Sequence, residues 1–154
     1  MPVAATSEDK KRINQFIEEY WTKLRDDRAL PQERDVSVVE LAAVWDSCFL
    51  VRVDDDGKEA EDFSYIYLGK SLVEAYGDDS SNKEICEKLV FPSSMSLVHK
   101  FREVVSSEKP VDEESEFVNS SGMLIKYRSN MVPLAKNEGE GVGYILGGMK
   151  WKAY

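Results

Sequence analysis

From Ile13 the apolar residues Ile13, Phe16, Ile17, Tyr20, Trp21 and Leu24 recur at i, i+3, i+4, i+7, i+8 and i+11, the stripe of an amphipathic helix. Ser7 is placed to cap it, with Glu8 and Asp9 in the first turn to complement the dipole. The polar residues Arg25 to Arg28 and then Pro31 end it. A second helical pattern runs through Val38, Leu41, Ala42 and Trp45. The period then changes. CFLVRV at 48–53 is short and rich in β-formers, and an acidic, glycine-containing loop leads from it to DFSYIYLGKSLVEAYG at 62–77. That stretch reads as a strand from Phe63 to Leu68, a corner at Gly69, and a helix carrying Leu72, Val73 and Tyr76 that stops at Gly77.

Beyond Gly77, Ile85, Leu89 and Phe91 mark a short helix that ends before Pro92. Ser93 or Ser94 then caps a longer one, striped by Met95, Val98, Phe101, Val104 and Val105 and closed near Lys109-Pro110. Three strands follow at 111–119, 123–134 and 141–150, joined through SSGM and KNEGEG as antiparallel neighbours. On the long middle strand Met123, Ile125, Tyr127, Ser129 and Met131 share one face, and Leu124, Lys126, Arg128, Asn130 and Val132 the other. The mostly apolar first set is expected to face the middle helices and any ligand cavity. On the strand at 63–68, alternation puts Phe63, Tyr65 and Tyr67 together, opposite Ser64, Ile66 and Leu68.

This order of elements, helix, helix, hairpin, several helices, three-stranded meander, resembles a PAS domain. The corner DFSYIYLGKSLVEAYG, preceded by RDVSVVELAAVWDSCFLVRV at 34–53, looks like the motif of a stand-alone PAS family found mostly in alphaproteobacteria. The resemblance implies an α+β fold, a five-stranded antiparallel sheet with helices on one face, to which the amphipathic N-terminal helix is an addition. It divides the chain into an N-terminal helix and connector, 1–33, and a PAS-like domain, 34–154. It also implies a regulatory rather than catalytic role, with no attached kinase or cyclase.

Composition narrows the partners. The 154 residues suit one domain, and 29 acidic against 20 basic residues give a net charge of −9, which disfavours nucleic acid and anionic membranes. Met1 to Ser7 has neither the basic region nor the apolar core of a signal peptide, and no apolar run is long enough to cross a bilayer. A cytoplasmic placement is expected. Two cysteines, Cys48 and Cys86, make no disulfide framework.

Catalytic chemistry finds no foothold in the pattern. One histidine, His99, stands without a glycine-framed nucleophile, and GEGVGYILGG lacks the strand-to-helix setting of a dinucleotide motif. Asp54, Asp55 and Asp56 fail the ligand spacing of a calcium loop, so no metal is expected. Some haem-binding PAS domains take an iron ligand from the long middle helix, which makes a haem sensor using His99 the remote reading. Cys86, in EICEKLVF, lacks the NCRF-like setting of a flavin photo-adduct. No fixed cofactor is expected.

The expected function is a cytosolic, non-catalytic sensory or regulatory module that binds a small ligand, a signalling-protein partner, or both. The candidate cavity is lined by Tyr65, Tyr67, Tyr76, Phe101, Tyr127, Ser129 and Met131. The alternative is a ligand-free dimeric adaptor. The N-terminal stripe of Ile13, Phe16, Ile17, Tyr20 and Trp21 either covers the sheet or forms a homodimer interface, and the two roles are compatible.

Overall fold

Five strands form one antiparallel sheet in the order β2-β1-β5-β4-β3, which is the expected α+β architecture. The strands are β1 Cys48–Val53, β2 Phe63–Leu68, β3 Val111–Val118, β4 Leu124–Ala135 and β5 Val142–Ala153. A computed structural model describes residues 12–59, 62–75 and 95–154, with the side chains of 95–97 left aside. Three α-helices lie within these residues: α1 Ile13–Arg25, α2 Lys70–Ala75 and α3 Met95–Ser107. β1 and β2 form a hairpin, β3 to β5 form a meander, and β5 joins the two by pairing with β1.

The sheet separates two hydrophobic layers. On one face, here the inner face, α2 and α3 bring Leu72, Ala75, Val98, Phe101 and Val104 against Phe49, Val51, Ile125, Met131, Ile145 and Met149. On the outer face α1 lays Ile13, Ile17 and Trp21 on Leu50, Val132, Leu134 and Leu146. The i, i+4, i+8 spacing of those three residues makes them one line along the helix, and all three are buried. Burial of each is worth roughly 1.5–3 kcal/mol, so α1 is integral to the sheet's packing. Trp21 Nε1 donates to the Pro133 carbonyl at 2.7 Å and fixes the helix to β4.

Paired glycines in β5 allow both layers to approach. A Cβ on Gly147 would stand 2.1 Å from Cζ of Phe49, and one on Gly148 would stand 2.8 Å from Ile13 and Ile17. Gly69, at the end of β2, passes so close to the backbone before β1 that a Cβ would lie 2.3 Å from the Asp46 carbonyl oxygen. The corner therefore needs glycine for close approach.

Several expectations are corrected. Residues 38–44 form successive turns instead of a helix, leading into a 3₁₀ turn at Trp45–Ser47. Leu41 is fully buried in the outer layer, whereas Val38 and Val39 are exposed, and Trp45 stacks on Tyr67. These anchors do not share one helical line. The N-cap of α1 is Arg12, in an extended conformation, and the expected cap Ser7 lies outside the described residues. The short helix expected through Ile85, Leu89 and Phe91 also lies outside them.

Tyr65 and Tyr67 do not share a face. Leu50 pairs with Tyr67 and Val51 with Tyr65, so Ile66 is an extra residue opposite no partner, a β-bulge. Tyr65 packs on the inner core and Tyr67 on the outer one. Strict alternation fails because one inserted residue reverses the facing of everything after it. On β4 alternation holds, with Ile125, Tyr127 and Met131 toward the inner layer and Val132 toward α1.

Candidate functional site

The inner face next to α3 is the natural place for a ligand in a sheet roofed by helices, and its chemistry changes along the sheet. At the β1–β2 side it is aromatic. Phe49 meets Tyr65 edge-on at 5.8 Å between centroids, and Phe101 from α3 lies 5.3 Å from Phe63, 6.2 Å from Phe49 and 6.3 Å from Tyr65. Phe63 and Phe101 are each 1% exposed, so these rings occupy this end of the interior.

Toward β3 and β4 the same face turns polar. Tyr127 donates its hydroxyl to Glu113 Oε1 at 2.9 Å. Glu113 is 6% exposed, and burial raises its carboxyl above the ordinary range, opposed by the Tyr127 hydrogen bond and the charge of Lys100 on α3. Ser129, the cross-strand neighbour of Glu113, is buried, and its Oγ has no hydrogen-bond partner among the described residues. A buried hydroxyl without a partner is unusual. Nearby, Trp151 Nε1 donates to the Ser71 carbonyl at 3.0 Å and Asn119 Nδ2 to the Ala75 carbonyl at 3.1 Å, tying α2 over the meander.

Of the expected cavity residues, Tyr65, Phe101, Tyr127 and Met131 pack in the inner layer, and Ser129 is buried beside Glu113. Tyr67 leaves the set: it stacks on Trp45 at 4.2 Å on the outer face and donates its hydroxyl to the Trp45 carbonyl at 2.9 Å. Tyr76 lies outside the described residues. Glu113 escaped the sequence reading because it stands in the acidic run DEESE, where a solvated strand edge is the ordinary reading. Its alternation with the exposed Asp112 and Glu114 is the signal that marks it as inward-facing.

Of the proposed partner-facing residues on α1, Ile13, Ile17 and Trp21 are buried on their own sheet, and Phe16 and Tyr20 are half-buried. The Ser37 amide donates to the Tyr20 hydroxyl at 2.8 Å. His99 is on the exposed side of α3, near Asp56 and Arg102, which removes it as an iron ligand inside the helix–sheet cavity. Its position beside Val98 instead of in line with Phe101 and Val104 turns it outward. Cys48 is a buried free thiol that donates to the Val44 carbonyl at 3.3 Å, and burial pushes its pKa up to about 12. It is correspondingly unreactive. Among the described residues no cluster of histidine, cysteine and carboxylate groups suits a metal ion, and no helix is long and apolar enough to cross a membrane.

No protein-family profile matches the chain, and no curated protein matches it. Solved structures do resemble it. A light-oxygen-voltage (LOV) domain studied with a flavin analogue is 14% identical over 75% of this chain and 83% of its own, with a TM-score of 0.53. The LOV domain of a blue-light activated histidine kinase from Erythrobacter litoralis is 15% identical over 70% of this chain and 96% of its own, with a TM-score of 0.50. At such identities the likeness concerns the backbone, and the chain accordingly has the five-stranded antiparallel fold of PAS and LOV domains.

Proposed function

We propose that the chain is a non-catalytic sensory or regulatory PAS module that binds a small, largely apolar molecule on the inner face of the sheet. The observation that carries this reading is the buried Ser129 hydroxyl, unpartnered among the described residues, beside the Glu113–Tyr127 pair, on a face otherwise lined by Met131, Ile125 and Phe101. An apolar wall with a few convergent polar groups is the usual make-up of a small-molecule site. Bound ligand would shift the population of arrangements of α3 and β4, and β4 carries α1 on its other face.

Flavin is the group that the LOV neighbours bring to mind, and the described inner face does not fit it. An isoalloxazine ring needs hydrogen-bond partners along its polar edge and a flat slot. Here the aromatic end is filled by Phe49, Phe63 and Phe101, and Glu113 and Tyr127 bond to each other. Cys48 lies in the layer on the opposite side of the sheet.

The alternative, a ligand-free dimeric adaptor, is favoured by those same ring contacts, which fill part of the interior with side chains. In that reading the homodimer would use the half-buried Phe16 and Tyr20 of α1. Residues 1–33 as helix and connector, 34–154 as the PAS-like unit, a cytosolic location and kinship with the stand-alone alphaproteobacterial family complete the proposal, the last resting on the corner at 62–77.

Thermal-shift screening with small acids, nucleotides, haem and flavin tests the reading. A ligand that raises the melting temperature of the wild type and loses most of that effect in Ser129→Ala supports it. Indifference to the whole panel, together with a concentration-dependent dimer abolished by Phe16→Ser, assigns the adaptor instead.

A further inference from the structure

The outer face of the sheet is only half covered by α1 among the described residues. The helix lies over the row Asp112–Asn130–Gly148, where Asn130 Nδ2 donates to Asp112 Oδ1 at 2.6 Å and Asn14 Nδ2 to the same oxygen at 3.0 Å. Two further rows lie beyond it, Glu114–Arg128–Lys150 and Glu116–Lys126–Lys152, followed by Val118 paired with Leu124 beside Tyr154. These rows form the floor of an open trough of about 890 Å³ that begins at Arg12 and Ile13.

The charge of this trough opposes that of the chain. Arg12, Lys126, Arg128, Lys150 and Lys152 line it against two carboxylates, Glu114 and Glu116, in a protein whose net charge is −9. Arg128 pairs with Glu114, and Lys126 lies 5.0 Å from the centroid of the Tyr154 ring. Lys150 and Lys152 are exposed, and no ion pair engages them among the described residues. Tyr154, which lines the trough, is 67% exposed, and just beyond it Val118 is 66% exposed.

We propose that this half of the outer face is a docking surface for an acidic, amphipathic segment of a partner protein. Its carboxylates meet Lys150 and Lys152, and an apolar side chain covers Val118 and Tyr154. Charge complementarity selects the sign, and cations flanked by exposed apolar groups select an amphipathic partner over a simple anion. A trough accepts a chain segment better than the plane of a bilayer, and the overall charge of −9 repels an anionic membrane. At physiological ionic strength exposed charges farther apart than about 8 Å are largely screened from one another. The net charge therefore slows encounter without cancelling contacts made inside the trough, and the complex is sensitive to salt.

Fluorescence anisotropy with a labelled synthetic peptide rich in Glu and carrying one Leu and one Phe tests this surface. The wild type binds saturably and more weakly as salt rises, and Lys150→Glu with Lys152→Glu weakens binding by about tenfold or more. The same charge change at exposed Lys58 and Lys70 alters affinity less than about twofold. A matching peptide with Lys in place of Glu binds the reversed variant, and a cooperative thermal melt like that of the wild type shows that this variant is folded. Equal losses in both double variants, or no saturable binding by the wild type, overturns the proposal. So does binding to phosphatidylserine vesicles without binding to the peptide, which assigns a membrane. A wild-type dimer that becomes monomeric on reversal at Lys150 and Lys152 assigns the trough to a second copy and likewise overturns it.

Discussion

At Gly69 and Gly147 a single methyl group separates a tolerated from a forbidden backbone, but the obstacles differ. Beside Gly147 the obstacle is the Phe49 ring, which can shift; beside Gly69 it is the Asp46 carbonyl, fixed in the main chain. Overpacking of a well-packed site costs typically 1–3 kcal/mol and occasionally more. Gly69→Ala is therefore expected to lose more stability than Gly147→Ala, about 3 kcal/mol against about 2 kcal/mol, as read from urea midpoints. Equal losses would mean that the strand-to-helix corner relaxes freely.

Glu113 sets a second expectation at the residue scale. Its folded pKa is raised because burial penalises the carboxylate, so the folded state holds the proton more tightly than the unfolded chain. Stability from this group is fully present below the ordinary carboxylate pKa and falls as pH rises toward the raised folded value. Glu113→Gln keeps an acceptor for Tyr127 and cannot ionise. The stability of the wild type relative to Glu113→Gln is thus expected to decline with rising pH across that window and to level off above it. Denaturation curves at stepped pH check this, and a difference that grows with pH would reverse the assignment.

At the scale of elements, α1 tests how firmly the outer layer holds. Ile17 is fully buried, and Ile17→Ala is expected to cost about 2–5 kcal/mol by leaving a cavity between helix and sheet. Trp21→Phe keeps most of the apolar contact but deprives the Pro133 carbonyl of its donor. It should cost about 1–3 kcal/mol, the desolvation penalty of an unpaired buried group. Phe16→Ala, on the half-buried flank, should cost less than either. Chemical denaturation ranks the three, and a Phe16 effect equal to that of Ile17 would show that α1 packs on a different line.

The same element shows what was legible in the chain. The spacing of Ile13, Ile17 and Trp21 gave both the helix and its apolar side, because those residues interact within a few turns of one another. The helix expected through Val38, Leu41, Ala42 and Trp45 met the same periodicity and is absent. There Leu41 is claimed by the outer core and Trp45 by Tyr67, contacts to strands that local spacing does not encode.

For the whole molecule, the filled aromatic end of the inner face predicts a protein without the blue-absorbing band of a bound flavin. The absorption spectrum of freshly purified protein checks this directly, and a flavin band that survives gel filtration would require Phe49, Phe63 and Phe101 to open a slot. Burial of Ile13, Ile17 and Trp21 on their own sheet further implies that self-association rests on other residues. Phe16→Ser should then lower any dimer fraction seen by light scattering while lowering the thermal melt less than Ile17→Ala does.

Sequence alone determined the order of the five strands along the chain, the antiparallel meander, the two faces of β4 and the apolar line of α1. Each follows from a period of about 2 or 3.6 residues that neighbouring side chains enforce locally. Tertiary structure decided the facing of Tyr67, the conformation of residues 38–44, the burial of Glu113 and how much of the outer face α1 covers among the described residues. The bulge at Ile66 is a matter of register between two strands, and burial depends on what packs from a distant part of the chain. Neither is written in the spacing of adjacent residues, because a one-residue slip or a remote partner leaves the local pattern unchanged.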